Sequence, residues 1–223
     1  MALHGCTGLF DKQGALVGRE AAWGQLLTAR GYVVLFPDSF GPRGVTRDCE
    51  GSVRPWAERS YDAYGALRYL QSLTYVIGER VGLIGWSHGG ATVTFAIAPT
   101  NMARPTDLPK GDFRAAVAFY PAWCWYLGVN WATAIPFLLE IGALDDSTQA
   151  PPCLPRVQSA IERGAPAQIK VYADAYHDFD WPGDKLHSVT SQSGRTVHYG
   201  ENNDARVDAL ARVPNFLDAY LKP

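Results

Sequence analysis

The 223-residue sequence has no CxxC pair, no basic block and no apolar run near the roughly 20 residues that a membrane span requires. Each absence removes a class. Cysteines at 6, 49, 124 and 153, widely spaced, exclude a zinc ribbon and do not read as a disulfide scaffold. Twenty Lys and Arg stand against 22 Asp and Glu, giving a net charge of −2 and a pI of 6.2. Nothing there suggests nucleic acid or an anionic membrane as a partner. No secretory leader pattern opens the chain, so the cytoplasm is the default compartment. Repeats, low-complexity stretches and linkers are missing as well, and residues 1–223 read as one domain. No cluster of metal-ligating side chains and no phosphate-cradling glycine loop appears, so no metal and no organic cofactor is expected.

What is present is an apolar content of 47%, enough for a sizeable core. Segments alternate between strand and helix patterns with mostly short loops, which predicts a parallel sheet covered on both faces. Strands are expected at 32–36, 81–85, 114–120, 136–142 and 168–173. Helices are expected at 19–30, from Ala63 to Leu73, at 91–98, at about 154–163 and at 204–221. Pro214 should kink or split the last of these. The cysteines read most simply as buried thiols; a Cys124–Cys153 bridge is the alternative, since each follows a predicted strand.

Between the 81–85 strand and the following helix lies Gly85-Trp86-Ser87-His88-Gly89-Gly90. A strand feeding a helix through Gly-x-Ser-x-Gly is the context of a nucleophile elbow, where a strained turn presents a serine hydroxyl. Side chains at 85 or 89 would collide where helix meets strand. Ser87 is the candidate nucleophile, and a serine hydroxyl needs a base to take its proton. Of five histidines, His177 is best placed, following the 168–173 strand where a loop begins. The side chain of His88 should point away from the nucleophile, and His187 and His198 lie in a polar segment. The base needs an acid, and Asp145 and Asp146 both stand just beyond the 136–142 strand. Backbone amides of His88 and of Cys6, within His4-Gly5-Cys6-Thr7-Gly8, are the candidate oxyanion donors.

These residues, with Pro37-Asp38-Ser39-Phe40-Gly41, Phe119-Tyr120-Pro121, Gly142-Ala143-Leu144-Asp145-Asp146 and Tyr176-His177-Asp178-Phe179, span nearly the whole chain. In that order they resemble an α/β-hydrolase, and more narrowly the dienelactone hydrolase family. The resemblance implies the α/β-hydrolase fold, a mostly parallel sheet with helices on both faces and little or no lid. It also implies a nucleophile–His–Asp hydrolase and favours Asp145 as the acid. Two departures stand out. The family proper carries Cys where this chain has Ser87, which shifts the expectation from lactones toward carboxylic esters generally. The family also has strands before the His-Gly loop, whereas only Met1-Ala2-Leu3 precede it here, so either a truncated start or a shortened version with an exposed sheet edge is expected.

Aromatics cluster after the third strand, and Trp86, Trp123, Trp125 and Tyr126 are candidate walls of a substrate pocket, with Trp131 nearby. Arg43, Arg47 and Arg54 are candidate anchors for a substrate carboxylate, Arg43 foremost, against the plainer reading of a solvated face. The leading expectation is hydrolysis of a small-molecule ester or lactone through an acyl-enzyme, by a monomer or homodimer. The alternative is a hydrolase-like fold that binds a small ligand or partner without turnover.

Overall fold

The computed structural model describes residues 1–148, 150–190 and 194–223. The elements in chain order are β1 (Ala2–Leu3), α1 (Gly18–Ala29), α2 (Glu58–Ser72), β2 (Gly82–Trp86), α3 (His88–Ala96), β3 (Ala115–Phe119), β4 (Phe137–Gly142), α4 (Ala150–Glu162), β5 (Ala167–Tyr172), β6 (His187–Thr190), β7 (Thr196–Tyr199) and α5 (Asn203–Leu221). Strands β1 to β5 form one parallel sheet in sequence order. Each crossover therefore has to carry the chain back over a face of the sheet.

Strand alternation assigns the faces. A side chain at Gly82 would meet Leu221 and Leu217 of α5, while one at Gly85 would meet Val93 of α3. Positions three apart point to opposite faces, so α3 and α5 cover opposite sides. With both faces covered, β3 reads as a continuous buried run, Ala115-Ala116-Val117-Ala118-Phe119.

Three expectations are corrected. Residues 32–36 form no strand; Ala2 N donates to Leu35 O at 2.8 Å, but a two-residue β1 offers too little ladder to pair along the segment. Pro214 does not split the last helix, since α5 continues from Asn203 to Leu221 with Pro214 buried beside Val213 and Leu217; that packing offsets the lost backbone bond. The polar segment near the end folds as an antiparallel hairpin, β6 with β7, which the sequence reading left without structure.

All four cysteines are bridged, Cys6 to Cys49 and Cys124 to Cys153. The second pair is the alternative raised above, and the first was not foreseen. Loop closure across 43 residues leaves no local sequence signal.

Candidate active site

Ser87 is the residue between the end of β2 and the start of α3, with φ of +51° and ψ of −109°. Few non-glycine residues adopt such a backbone. Its surroundings hold it there: Ser87 N donates to Phe119 O at 3.0 Å, and Ser87 O accepts from Ala91 N at 2.8 Å. A Cβ at Gly85 would stand 2.5 Å from Gly89 O, and one at Gly89 would stand 2.1 Å from Leu3 O. The two glycines are thus required by the close approach of α3 to β1 and β2, as the motif implied.

His177 Nδ1 lies 2.8 Å from Asp145 Oδ2, and both residues are buried. An ionised carboxylate accepts only, so Nδ1 carries the hydrogen and Nε2 is the basic nitrogen. Asp145 is held by the amides of Ser147 and Thr148, both at 2.9 Å, and by the Thr148 hydroxyl at 2.8 Å. Burial pushes the Asp145 carboxyl up, but the His177 charge and these donors outweigh it and leave it below the ordinary value. Burial likewise pulls His177 down, and Asp145 with Asp178 outweighs that, leaving the imidazole raised. Asp146 turns the other way and pairs with His198 at 2.7 Å.

Ser87 and His177 line one cavity of about 620 Å³ at the carboxyl ends of the strands. Gly5 and Cys6 follow β1, Ser87 and His88 follow β2, Trp123 and Trp125 follow β3, and Thr148 and His177 follow β4 and β5. Every strand of the sheet thus delivers a loop to the same opening, the rule for ligand sites in open α/β sheets.

Three expected pocket residues lie elsewhere. Trp86 is fully buried and donates through Nε1 to Asp180 Oδ2 at 2.9 Å. Tyr126 is exposed and packs on Trp56. Arg43 forms a forked ion pair with Asp62, at 2.8 Å through each nitrogen. Arg54 is likewise paired, with Glu58, and Trp131 is buried with Nε1 donating to Thr94 O. Arg47 lines the cavity and makes no hydrogen bond or ion pair among the described residues. Trp181, Val189 and Tyr199 also line it; none carried a sequence signal, since their placement depends on the hairpin and on the loop after β5.

That loop is anchored from beneath. Asp180 is fully buried and accepts from Trp23 Nε1 at 2.7 Å, from Trp86 and from the Tyr120 hydroxyl. Arg19 of α1, buried, donates to Asp178 at 2.7 Å and to Glu20 at 2.7 Å, and Trp181 lies on its face at 4.7 Å. The His88 side chain is buried, its Nδ1 2.8 Å from Arg59 Nη1 and its ring edge-on to that of Trp123 at 4.8 Å. Burial and the Arg59 charge pull its imidazole down to about 3, so the ring is neutral.

A parallel sheet with a serine elbow and a His–Asp couple gathered at its carboxyl edge is the architecture of the α/β-hydrolase fold. The model of the dienelactone hydrolase family matches residues 18–221, and the chain belongs to that family. No curated protein matches the sequence. Among solved structures, a dienelactone hydrolase-like promiscuous phosphotriesterase from metagenomic libraries is similar at a TM-score of 0.71 and 18% identity, with 98% of this chain and 84% of that one covered. An esterase from Thermogutta terrifontis is similar at 0.67 and 13%, covering 100% and 84%. Dipeptidyl peptidase 4 from Porphyromonas gingivalis is similar at 0.68 and 17%, covering 99% of this chain. The chain spans only 31% of that peptidase.

Proposed function

We propose that the protein is a serine hydrolase that cleaves carboxylic esters or lactones through an acyl-enzyme. The observation that carries this reading is the buried His177–Asp145 couple, at 2.8 Å, in the same cavity as a serine held at positive φ. His177 Nε2 takes the proton of Ser87 as Oγ attacks the carbonyl carbon, then returns it to the leaving alcohol. Water, deprotonated in turn by His177, hydrolyses the acyl-serine and restores the enzyme. Asp145 fixes the tautomer and stabilises the imidazolium. The amides of Cys6 and His88 bind the oxyanion, a role worth roughly 3 kcal/mol per donor.

Trp123, Trp125 and Trp181 supply broad apolar walls suited to an aromatic or branched acyl group. Arg47 favours substrates with a carboxylate near the reacting bond, since it is a cation on the cavity wall that makes no hydrogen bond or ion pair among the described residues. Among the described residues, no group of three or more His, Cys, Asp or Glu side chains is placed to hold a metal ion.

A fluorophosphonate probe with peptide mapping tests the reading. Stoichiometric phosphonylation of Ser87, lost in Ser87→Ala, is expected, together with hydrolysis of p-nitrophenyl acetate. Folded wild-type protein that neither labels nor turns over would leave ligand binding without catalysis as the function.

A further inference from the structure

We propose that Arg59 is a positioning residue for the oxyanion hole, one guanidinium joining the two backbone segments that carry its donors. The inference rests on the assignment of the Cys6 and His88 amides made above. Arg59 lies in the first turn of α2 and is fully buried. Its Nη1 is 2.8 Å from His88 Nδ1, and its Nη2 donates to His4 O at 2.9 Å. His88 carries one donor amide itself. His4 O belongs to the peptide that leads through Gly5 into Cys6, which carries the other.

An arginine cannot accept, so His88 Nδ1 is the acceptor and its hydrogen sits on Nε2, which faces Asp48 Oδ2 at 3.8 Å. His4 has the opposite tautomer: Nδ1 donates to Gly5 O at 2.8 Å, and Nε2 accepts from Ser39 N at 3.3 Å. Phe40 forms the floor beneath all three. The Arg59 guanidinium lies 5.2 Å over its ring, and both imidazoles meet that ring edge-on, His4 at 4.6 Å and His88 at 5.6 Å. The Asp38-Ser39-Phe40 segment, prominent in the sequence without an evident task, thus supports this cluster.

The expense of the arrangement argues that it has a task. Among the described residues Arg59 has no hydrogen bond or ion pair to a carboxylate, and its Nε has no partner. The hydrogen bonds of this buried guanidinium go, among the described residues, to a carbonyl and a neutral ring, while the carboxylates of Asp62, Asp48 and Glu20 act on it only at longer range. Such burial is costly, and packing alone would be served by an apolar side chain. What an apolar side chain cannot supply is a rigid fork with two donors set at a fixed separation. The Cys6 segment is held on its other side by different means, through Asp48 N donating to Cys6 O at 2.9 Å and through the Cys6–Cys49 bridge. Among the described residues, Arg59 alone ties that segment to the elbow through side-chain donors. Its charge also adds positive potential where the oxyanion develops.

The test compares Arg59→Met and Arg59→Lys with wild type, using p-nitrophenyl acetate turnover per active site, the sites counted by fluorophosphonate titration. For Arg59→Met, kcat per titrated site should fall about 100-fold with KM within about threefold, the pattern of a donor moved by a fraction of an ångström. The Ki of a trifluoromethyl ketone, whose hemiketal oxygen occupies the hole, should rise in proportion to the fall in kcat/KM. Arg59→Lys should recover part of the loss. A residue that merely held the fold together would reduce the count of titratable sites and leave kcat per site and Ki unchanged; that result overturns the proposal. If Arg59→Met does not fold, His88→Gln and His88→Leu decide: Gln offers Arg59 an acceptor, Leu does not. Turnover at least about tenfold higher for Gln than for Leu supports the proposal, and equal turnover overturns it. Wild-type protein without labelling or turnover overturns the serine-hydrolase reading itself, and this inference with it.

Discussion

At the scale of single residues, two neighbouring aspartates meet different fates. Asp145 sits under the amides of Ser147 and Thr148 and faces His177, while Asp146 reaches outward to His198. On the proposed mechanism, Asp145→Asn should lower kcat by about 10⁴-fold through the wrong imidazole tautomer, and Asp146→Asn should leave it within about threefold. Steady-state kinetics on the two purified variants checks this. The base also fixes the pH dependence. On that mechanism His177 acts only when neutral, and Asp145 and Asp178 hold its pKa raised, so kcat/KM should climb with pH through a midpoint above the ordinary imidazole value. In a variant of Asp145 that retains measurable turnover the carboxylate's raising influence is gone, burial dominates, and the midpoint should drop. The sequence named Ser87 and His177 from their flanking elements alone. It could not separate Asp145 from Asp146 without the family resemblance, because which of two adjacent side chains turns inward is set by the loop.

At the scale of elements, the β2–α3 junction was legible because its constraints are local. Gly85, Ser87 and Gly89 are close in sequence, and the collisions that exclude side chains there arise from one turn. Strand β4 shows the opposite case. Glu140 lies mid-strand, fully buried, accepting from the Tyr172 hydroxyl at 2.6 Å, and burial raises its carboxyl to about 8. Its pKa in the unfolded chain is near 4.5, so between pH 4.5 and 8 the folded state binds the extra proton. Stability from this group is therefore present at low pH and lost as pH rises through that window. Glu140→Gln should melt at progressively higher temperature than wild type as pH goes from 5 toward 8, measured by calorimetry at each pH. A constant difference would contradict the assignment. The sequence marked the strand but gave no reason for a carboxylate within it; the reason is Tyr172 on the neighbouring strand.

At the scale of the whole molecule, two long loops are closed covalently. Bridges spanning 43 and 29 residues should each add about 4 kcal/mol by restricting the unfolded chain. Thiol titration of denatured protein should find no free thiol without reductant and four with it. The double variant Cys124→Ser/Cys153→Ser should melt well below wild type. Such bridges persist in oxidising surroundings, so we propose an oxidising compartment in place of the cytoplasmic default. Recovery of fully bridged protein from an oxidising compartment, and of reduced protein from a reducing one, would agree with that choice.

The sequence by itself determined the parallel α/β plan, the serine elbow and the histidine that follows the last sheet strand. Those depend on periodicity and on turns a few residues long, where sterics act between near neighbours. Tertiary structure shows Asp145, which the resemblance favoured, meeting His177, and it alone decided that Trp86 is core while Trp181 is cavity wall, and that Arg43 pairs with Asp62 while Arg47 faces the opening. It alone placed Arg59 between His4 and His88, residues 84 apart in the chain and joined through one side chain. Contacts of that kind are set by how layers pack, and packing leaves no pattern along the chain.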